Sequence, residues 1–237
     1  MSTARDHSVV LLSGGMDSAT ALALELDRDD QAVTAVSVFY GQRHLRELDS
    51  VDALVEHFGV SHVRLDLSGV TRHMGRGGAL LHGEDVPEGH YAADNMASTV
   101  VPGRNLLFLS AAAALAQSIG AGRVVLGVHS GDHPVYADCR PGFIHHARQV
   151  VEASSDNAVS LGAPFLTYSK ADIVTTGHQL DVPWHLTRSC YNAGEAHCGR
   201  CGTCTERAEA FTLAGVTDPT VYEDPDFWRS VTAPQEV

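Results

Sequence analysis

The chain has 237 residues, 44% of them hydrophobic and 19% charged, a composition that supports a packed core and excludes a disordered polar chain. At roughly 150 residues per domain, this length allows one large domain with a small appendage and excludes a multidomain machine. Lys and Arg total 16 against 29 Asp and Glu, a net charge of −13, which repels a phosphate backbone and argues against a direct nucleic-acid partner.

From the N-terminus, the apolar run Val9 to Leu12 predicts a buried strand, Ser13 to Ser18 a glycine turn, and Ala19 to Leu26 a helix. Ala32 to Tyr40 is a second strand, and Leu45, Leu48, Val51, Leu54, Val55 and Phe58 mark one face of a helix over His44 to Phe58 that Gly59 ends. His62 to Leu67 is a third strand, so strands and helices alternate as in a doubly wound parallel sheet. Ser68 to Val101 breaks this rhythm and reads as an irregular insertion. A helix over Arg104 to Ile119, a strand over Arg123 to Val128, a polar segment to Gly142 and a helix over Phe143 to Ala153 follow. Pro164 to Leu166 reads as a last strand, Ser169 as the cap of a helix over Lys170 to Leu180, and Gly202 to Leu213 as a final helix before a proline-bearing tail. The division expected is an α/β domain over 1–186 and a cysteine-bearing segment over 187–237. The start of the chain shows no basic region followed by an apolar run, and Leu106 to Leu115, broken by Ser110, is too short to span a bilayer. A soluble cytoplasmic protein with no membrane partner is the expectation.

Three features carry chemistry. Ser13-Gly14-Gly15-Met16-Asp17-Ser18 lies where a strand hands over to a helix, so backbone N–H groups and the helix dipole favour a phosphate there. Without the lysine of a Walker loop it is not built for γ-phosphoryl transfer, and Asp17 offers a carboxylate to Mg²⁺ carried by a nucleotide. Lys170 is the one lysine beside 15 arginines, which reads either as a place where an ammonium and not a guanidinium is required, the favoured reading, or as an exposed leftover at a helix start. Cys190, Cys198, Cys201 and Cys204 fall within 15 residues, with Cys139 apart, a metal-site pattern rather than a disulfide framework. Four thiolates suit closed tetrahedral zinc. An iron–sulfur cluster is the rival, disfavoured because Thr205 and not proline follows Cys204, and His197 is a substitute ligand to consider.

The glycine string resembles the signature of the PP-loop ATP pyrophosphatases, which attach AMP to a substrate oxygen. Along Val9 to Arg207 the chain is similar to the 7-cyano-7-deazaguanine synthase family. The shared pieces are the glycine string, Tyr40-Gly41-Gln42-Arg43-His44, Val101 to Ser110, Tyr136-Ala137-Asp138-Cys139-Arg140, Ser169-Lys170-Ala171-Asp172 and Thr187 to Tyr191. The local departure is Gly127 to Pro134.

The resemblance implies a doubly wound PP-loop fold and a structural zinc on Cys190, Cys198, Cys201 and Cys204. The reaction it implies joins 7-carboxy-7-deazaguanine and ammonia at the expense of ATP and Mg²⁺, through an adenylated acid and an amide, to the nitrile of queuosine or archaeosine biosynthesis. ATP would lie on Leu12, Ser13, Gly14, Gly15, Met16, Asp17, Ser18, Ala19, Thr20, Ala21 and Leu22, with Arg104 nearby. Asp17, Lys170 and Arg188 are the catalytic candidates, the last two for the departing pyrophosphate. Asp138 would accept from the N–H edge of the base, with Arg140, His129 and His133 in the same segment. Cys139 reads as a small buried residue. Ammonia arrives free or from a partner, and a homodimer is left open. The competing readings are a tRNA thiolase with an iron–sulfur cluster, against which the net charge argues, and a nucleotide-binding zinc module without catalysis.

Overall fold

The computed structural model describes residues 7–28, 31–43, 45–74, 78–82 and 85–232. Its frame is a five-stranded sheet, β1 (His7–Leu11), β2 (Ala32–Phe39), β3 (Ser61–Asp66), β4 (Arg123–Val125) and β5 (Ser160–Gly162), in the order β3-β2-β1-β4-β5. Every pairing is parallel, as expected when helices cover both faces and the strands read as continuous apolar runs. Successive side chains of β1 serve opposite faces. Val9 and Leu11 join a core with Leu109, Ala112 and Ile144, while Val10 and Leu12 join another with Leu22, Ile173, Trp184 and Phe211.

The first core lies under α4 (Arg104–Ile119) and α5 (Pro141–Ser154). The second lies under α1 (Met16–Leu26), α2 (Arg46–Phe58), α6 (Lys170–Gln179) and α7 (Gly202–Ala214). In α2 the buried stripe shrinks to Val51 and Leu54, and Gly59 at φ 64° lets the chain leave the helix left-handed. His44, the expected start of that helix, is outside the described residues. The α7 helix belongs to the same core as the sheet, because Phe211 meets Trp184 edge to face with ring centroids 5.3 Å apart.

The structure moves several boundaries. The fifth strand is not Pro164 to Leu166 but Ser160–Gly162, which pairs with β4 from Arg123 to Val125. Pro164 has no N–H to give a ladder, and the chain turns there instead, with Phe165 buried beneath the sheet. Pro141 opens α5 two residues before the expected start, in the helix position where a missing N–H costs nothing. The insertion is largely irregular, holding α3 (Ser68–Thr71), a wide helical turn at Gly78–His82 and a tight one at Asp94–Thr99. The tail carries α8 (Phe227–Val231). Residues 95–119 are long and apolar enough to cross a bilayer by length and composition, further than the sequence reading allowed. In the fold, α4 turns Asn105, Leu109, Ala112, Ala113 and Ala116 inward.

Candidate active site

The glycine string sits at the carboxyl end of β1 and opens α1. Gly14 has φ +85°, and a Cβ there would stand 2.5 Å from the carbonyl oxygen of Glu47. Only glycine fits this position. The hydroxyls of Ser13 and Ser18 lie 3.1 Å apart, the backbone N–H of Ser13 donates to Ser18 Oγ at 3.1 Å, and Ser18 Oγ donates to the carbonyl of Gly15 at 3.0 Å. The loop is thereby braced by its own side chains. Arg188 adds a strut, since its backbone N–H donates to the Gly14 carbonyl at 2.8 Å.

Leu12, Ser13, Gly15, Met16, Asp17 and Ser18 line a cavity at this edge. Ala19, Thr20, Ala21 and Leu22 do not; they are buried along α1, where Thr20 Oγ1 donates to the Met16 carbonyl at 2.8 Å. Gly14 likewise turns toward Glu47 and Ser50 rather than into the cavity.

Lys170, 153 residues away in sequence, reaches this loop from the first turn of α6. Its Nζ donates to Asp17 Oδ2 at 2.7 Å and lies 3.0 Å from Glu206 Oε2. Ser169 caps the helix, receiving the N–H of Asp172 at 3.2 Å while the Asp172 carboxylate takes the Ser169 N–H at 2.8 Å. Burial alone would lower the Lys170 pKa, but the carboxylates of Asp17, Glu206 and Asp132 outweigh it and hold the pKa above the ordinary value. The ammonium is fixed as a cation. Burial pushes Glu206 upward, opposed by Lys170 and His129.

His129 is fully buried behind this pair. The N–H of Gly131 donates to its Nδ1 at 3.1 Å. Around Nε2 stand Asp132 Oδ1 at 3.6 Å, Glu206 Oε1 at 3.8 Å and Lys170 Nζ at 3.2 Å. Lys170 Nζ and His129 Nε2 share a wall of three carboxylates, those of Asp17, Asp132 and Glu206. Asp132 also accepts from Tyr91 O–H at 3.0 Å.

The expected substrate residues are dispersed. Asp138 lies outside the cavity wall and uses Oδ2 to accept the Asn105 N–H at 2.9 Å, supporting the start of α4. Arg140 donates to the His133 and Pro134 carbonyls at 2.8 and 3.4 Å and also stays out of the wall. His133 is half-buried with Nε2 unpartnered among the described residues. Arg104 does line the cavity, its guanidinium 5.9 Å from the centroid of the Tyr40 ring. Arg188 lines it too, but spends its terminal nitrogens on the carbonyls of Asn192, Gly194 and Glu195 at 2.9, 2.7 and 3.3 Å. Its side chain shapes the loop that leads to the cysteines. Cys139 is buried, and burial pushes its thiol well above the ordinary range, as suits an inert residue. Asp132, Glu206 and Tyr91 are cavity residues that sequence reasoning missed.

The sulfur atoms of Cys190, Cys198, Cys201 and Cys204 lie within 4.8 Å of one another, so this cluster could hold a metal ion. Backbone N–H groups point at two of the sulfurs: those of Asn192 and Cys198 at Cys190, and those of Arg200 and Cys201 at Cys198, at 3.3 to 3.4 Å. Donors of this kind favour thiolates over thiols. His197 stands apart from the cluster: its Nε2 accepts the Ser189 N–H at 3.1 Å and its ring meets Tyr222 edge on. It is therefore not the substitute ligand considered from the sequence.

A parallel sheet with this strand order, a glycine loop after its first strand and a lysine brought to that loop from α6 define a doubly wound enzyme of the PP-loop ATPase type. Fold comparison agrees: an NMN synthetase from Francisella tularensis superposes with a TM-score of 0.50 at 17% identity, over 95% of this chain and 84% of that one. The family described as "Queuosine biosynthesis protein QueC" matches residues 7–215. Proteins named 7-cyano-7-deazaguanine synthase from Rhizobium rhizogenes, Agrobacterium fabrum and Paracoccus denitrificans are 49%, 48% and 45% identical. These alignments cover 95%, 97% and 97% of this chain, and 96%, 99% and 98% of the relatives. The chain belongs to the QueC family, and is an ATP-dependent enzyme of nitrile synthesis in the queuosine pathway.

Proposed function

We propose that the enzyme activates 7-carboxy-7-deazaguanine by transfer of AMP, replaces that AMP with ammonia, and repeats the activation on the amide to leave 7-cyano-7-deazaguanine. The observation that carries this reading is the 2.7 Å contact between Lys170 Nζ and Asp17 Oδ2 at the mouth of the glycine loop. A carboxylate oxygen is a poor leaving group until it is adenylated, so the work left to the protein is positioning and charge stabilisation.

The glycine loop presents backbone N–H groups to the phosphates at the start of α1. Lys170 contacts that loop through Asp17, and its ammonium takes up charge on the pyrophosphate as it departs. Arg188 supports the loop through its backbone, and Arg104 lies further along the same wall as a second cation. Asp17 Oδ1 is buried with no hydrogen-bond partner among the described residues, which fits a role as ligand to the Mg²⁺ of the nucleotide. When bound, that ion supplies charge neutralisation along the phosphates.

The four thiolates fit zinc, whose tetrahedral preference matches the cluster. Iron–sulfur ligation would be seen as brown colour in anaerobically purified protein, and a colourless preparation with one zinc per chain is expected. Ammonium is expected to act as the nitrogen donor, with the product made from small molecules alone. Protein incubated with ATP, Mg²⁺, ammonium and 7-carboxy-7-deazaguanine should give AMP, pyrophosphate and the nitrile by mass spectrometry. ADP as the sole substrate-dependent nucleotide product would overturn the adenylation chemistry.

A further inference from the structure

We infer that Glu206 is a positioning residue that clamps the Lys170 ammonium against Asp17, so that the helix following the cysteine cluster sets the geometry of the phosphate loop. Glu206 is buried on α7, and its Oε2 lies 3.0 Å from Lys170 Nζ. Lys170 is therefore held from two sides, by Asp17 on α1 and by Glu206 on α7, at 2.7 and 3.0 Å. A lysine side chain left to itself samples many rotamers, and ordering it costs conformational entropy. Two carboxylates on different helices restrict that freedom.

The carrier of this clamp is rigid. Cys201 caps α7 and Cys204 lies in its first turn, two residues before Glu206. Thr203 Oγ1 donates to the Ser189 carbonyl at 2.7 Å, and the fully buried Arg207 donates to Thr187 Oγ1 at 2.7 Å and pairs with Asp218 at 3.1 Å. Helix α7 is thus tied to the 187–189 strand-like segment, which itself holds Gly14. Both arms of the clamp are referenced to one frame.

Because Lys170 is the chain's single lysine, how firmly its carboxylate partners hold the ammonium can be read without measuring turnover, since acylation requires a released, deprotonated amine. A succinimidyl ester under limiting conditions, followed by peptide mass spectrometry, reports acylation of this one side-chain amine. The Glu206→Gln variant keeps the shape and removes the charge. It should retain bound metal and melting temperature while Lys170 acylation rises on the order of tenfold, as expected when one charge-assisted contact is lost. Glu206→Asp, with a shorter reach, should lie between the two.

Unchanged Lys170 acylation in Glu206→Gln with metal content intact would overturn the inference. If that variant lost its metal or melted early, the decision would pass to Glu206→Asp, where wild-type acylation in a folded, metallated protein would also overturn it. The assignment rests on the reading of Lys170 as the pyrophosphate contact, and the two fail differently. Raised acylation with wild-type kcat would retain Glu206 as the clamp and remove Lys170 from the chemistry. Raised acylation with kcat reduced on the order of tenfold and ATP affinity held would support both.

Discussion

At the scale of single residues, the lysine shows how composition can locate chemistry. Fifteen arginines show that a guanidinium is accepted at other cationic positions, and the exception is the residue placed between Asp17 and Glu206. Its ammonium rotates three donors among two carboxylates, whereas a guanidinium is a flat fork that needs more room. Lys170→Arg should therefore keep the fold while losing about a hundredfold in pyrophosphate release, the cost of misplacing a group by about 1 Å near the reacting atoms. Near-normal release would move the charge stabilisation to Arg104 or Arg188. The partners of this lysine were not legible. Glu206 reads as one more polar residue on an exposed helix face, because a sequence does not show that α7 packs on α6. Asp132 and Tyr91 lie in segments without periodicity, and their meeting at 3.0 Å is set only by the fold.

At the scale of elements, the cysteine segment is the part whose structure depends on something other than apolar packing. Among the described residues, Cys190, Cys201 and Cys204 are buried with Val86, Tyr222 and Cys198 as apolar neighbours, too small a cluster to hold the cysteine loop by area alone, whereas α7 itself is also held by Phe211 in the sheet's core. Metal binding is coupled to folding in such sites and contributes on the order of 10 kcal/mol in small domains. Replacing Cys198, Cys201 or Cys204 with Ser should lower metal content, yield and melting temperature together; full metal content in all three variants would refute the site. The cluster was plain in the spacing, because metal ligands in one loop need no tertiary information. The fifth strand was not. Ser160–Gly162 is short and flanked by weak signals, and its identity comes from pairing with β4 rather than from its own residues. Tertiary context decided there against local propensity.

At the scale of the whole molecule, the strand order reverses between β1 and β4, and open α/β sheets hold ligands in the crevice this creates. The alternation of strands and helices in the first 67 residues was enough to announce the doubly wound fold, but not how tightly the two sides of the crevice meet. That closeness is measured at Gly127, just beyond β4. A Cβ there would stand 3.2 Å from the carbonyl carbon and oxygen of Asp17 and 3.3 Å from the Ser18 N–H nitrogen. Both neighbours are backbone of the phosphate loop, which Ser13, Ser18 and Arg188 already brace, so neither can swing aside like a flexible side chain. Gly127→Ala should displace the loop by a few tenths of an ångström rather than unfold the sheet. Since a misplacement of about 1 Å costs on the order of a hundredfold, the expected loss in kcat is several-fold to tenfold. The melting temperature should change by no more than about 4 °C, the shift that roughly 1 kcal/mol produces at this size. Steady-state pyrophosphate release beside a thermal melt separates the two. A large fall in melting temperature with kcat intact would mean that the crevice yields to the added methyl group, and that the contact between the β4 end and the loop governs stability instead of the placement of Asp17.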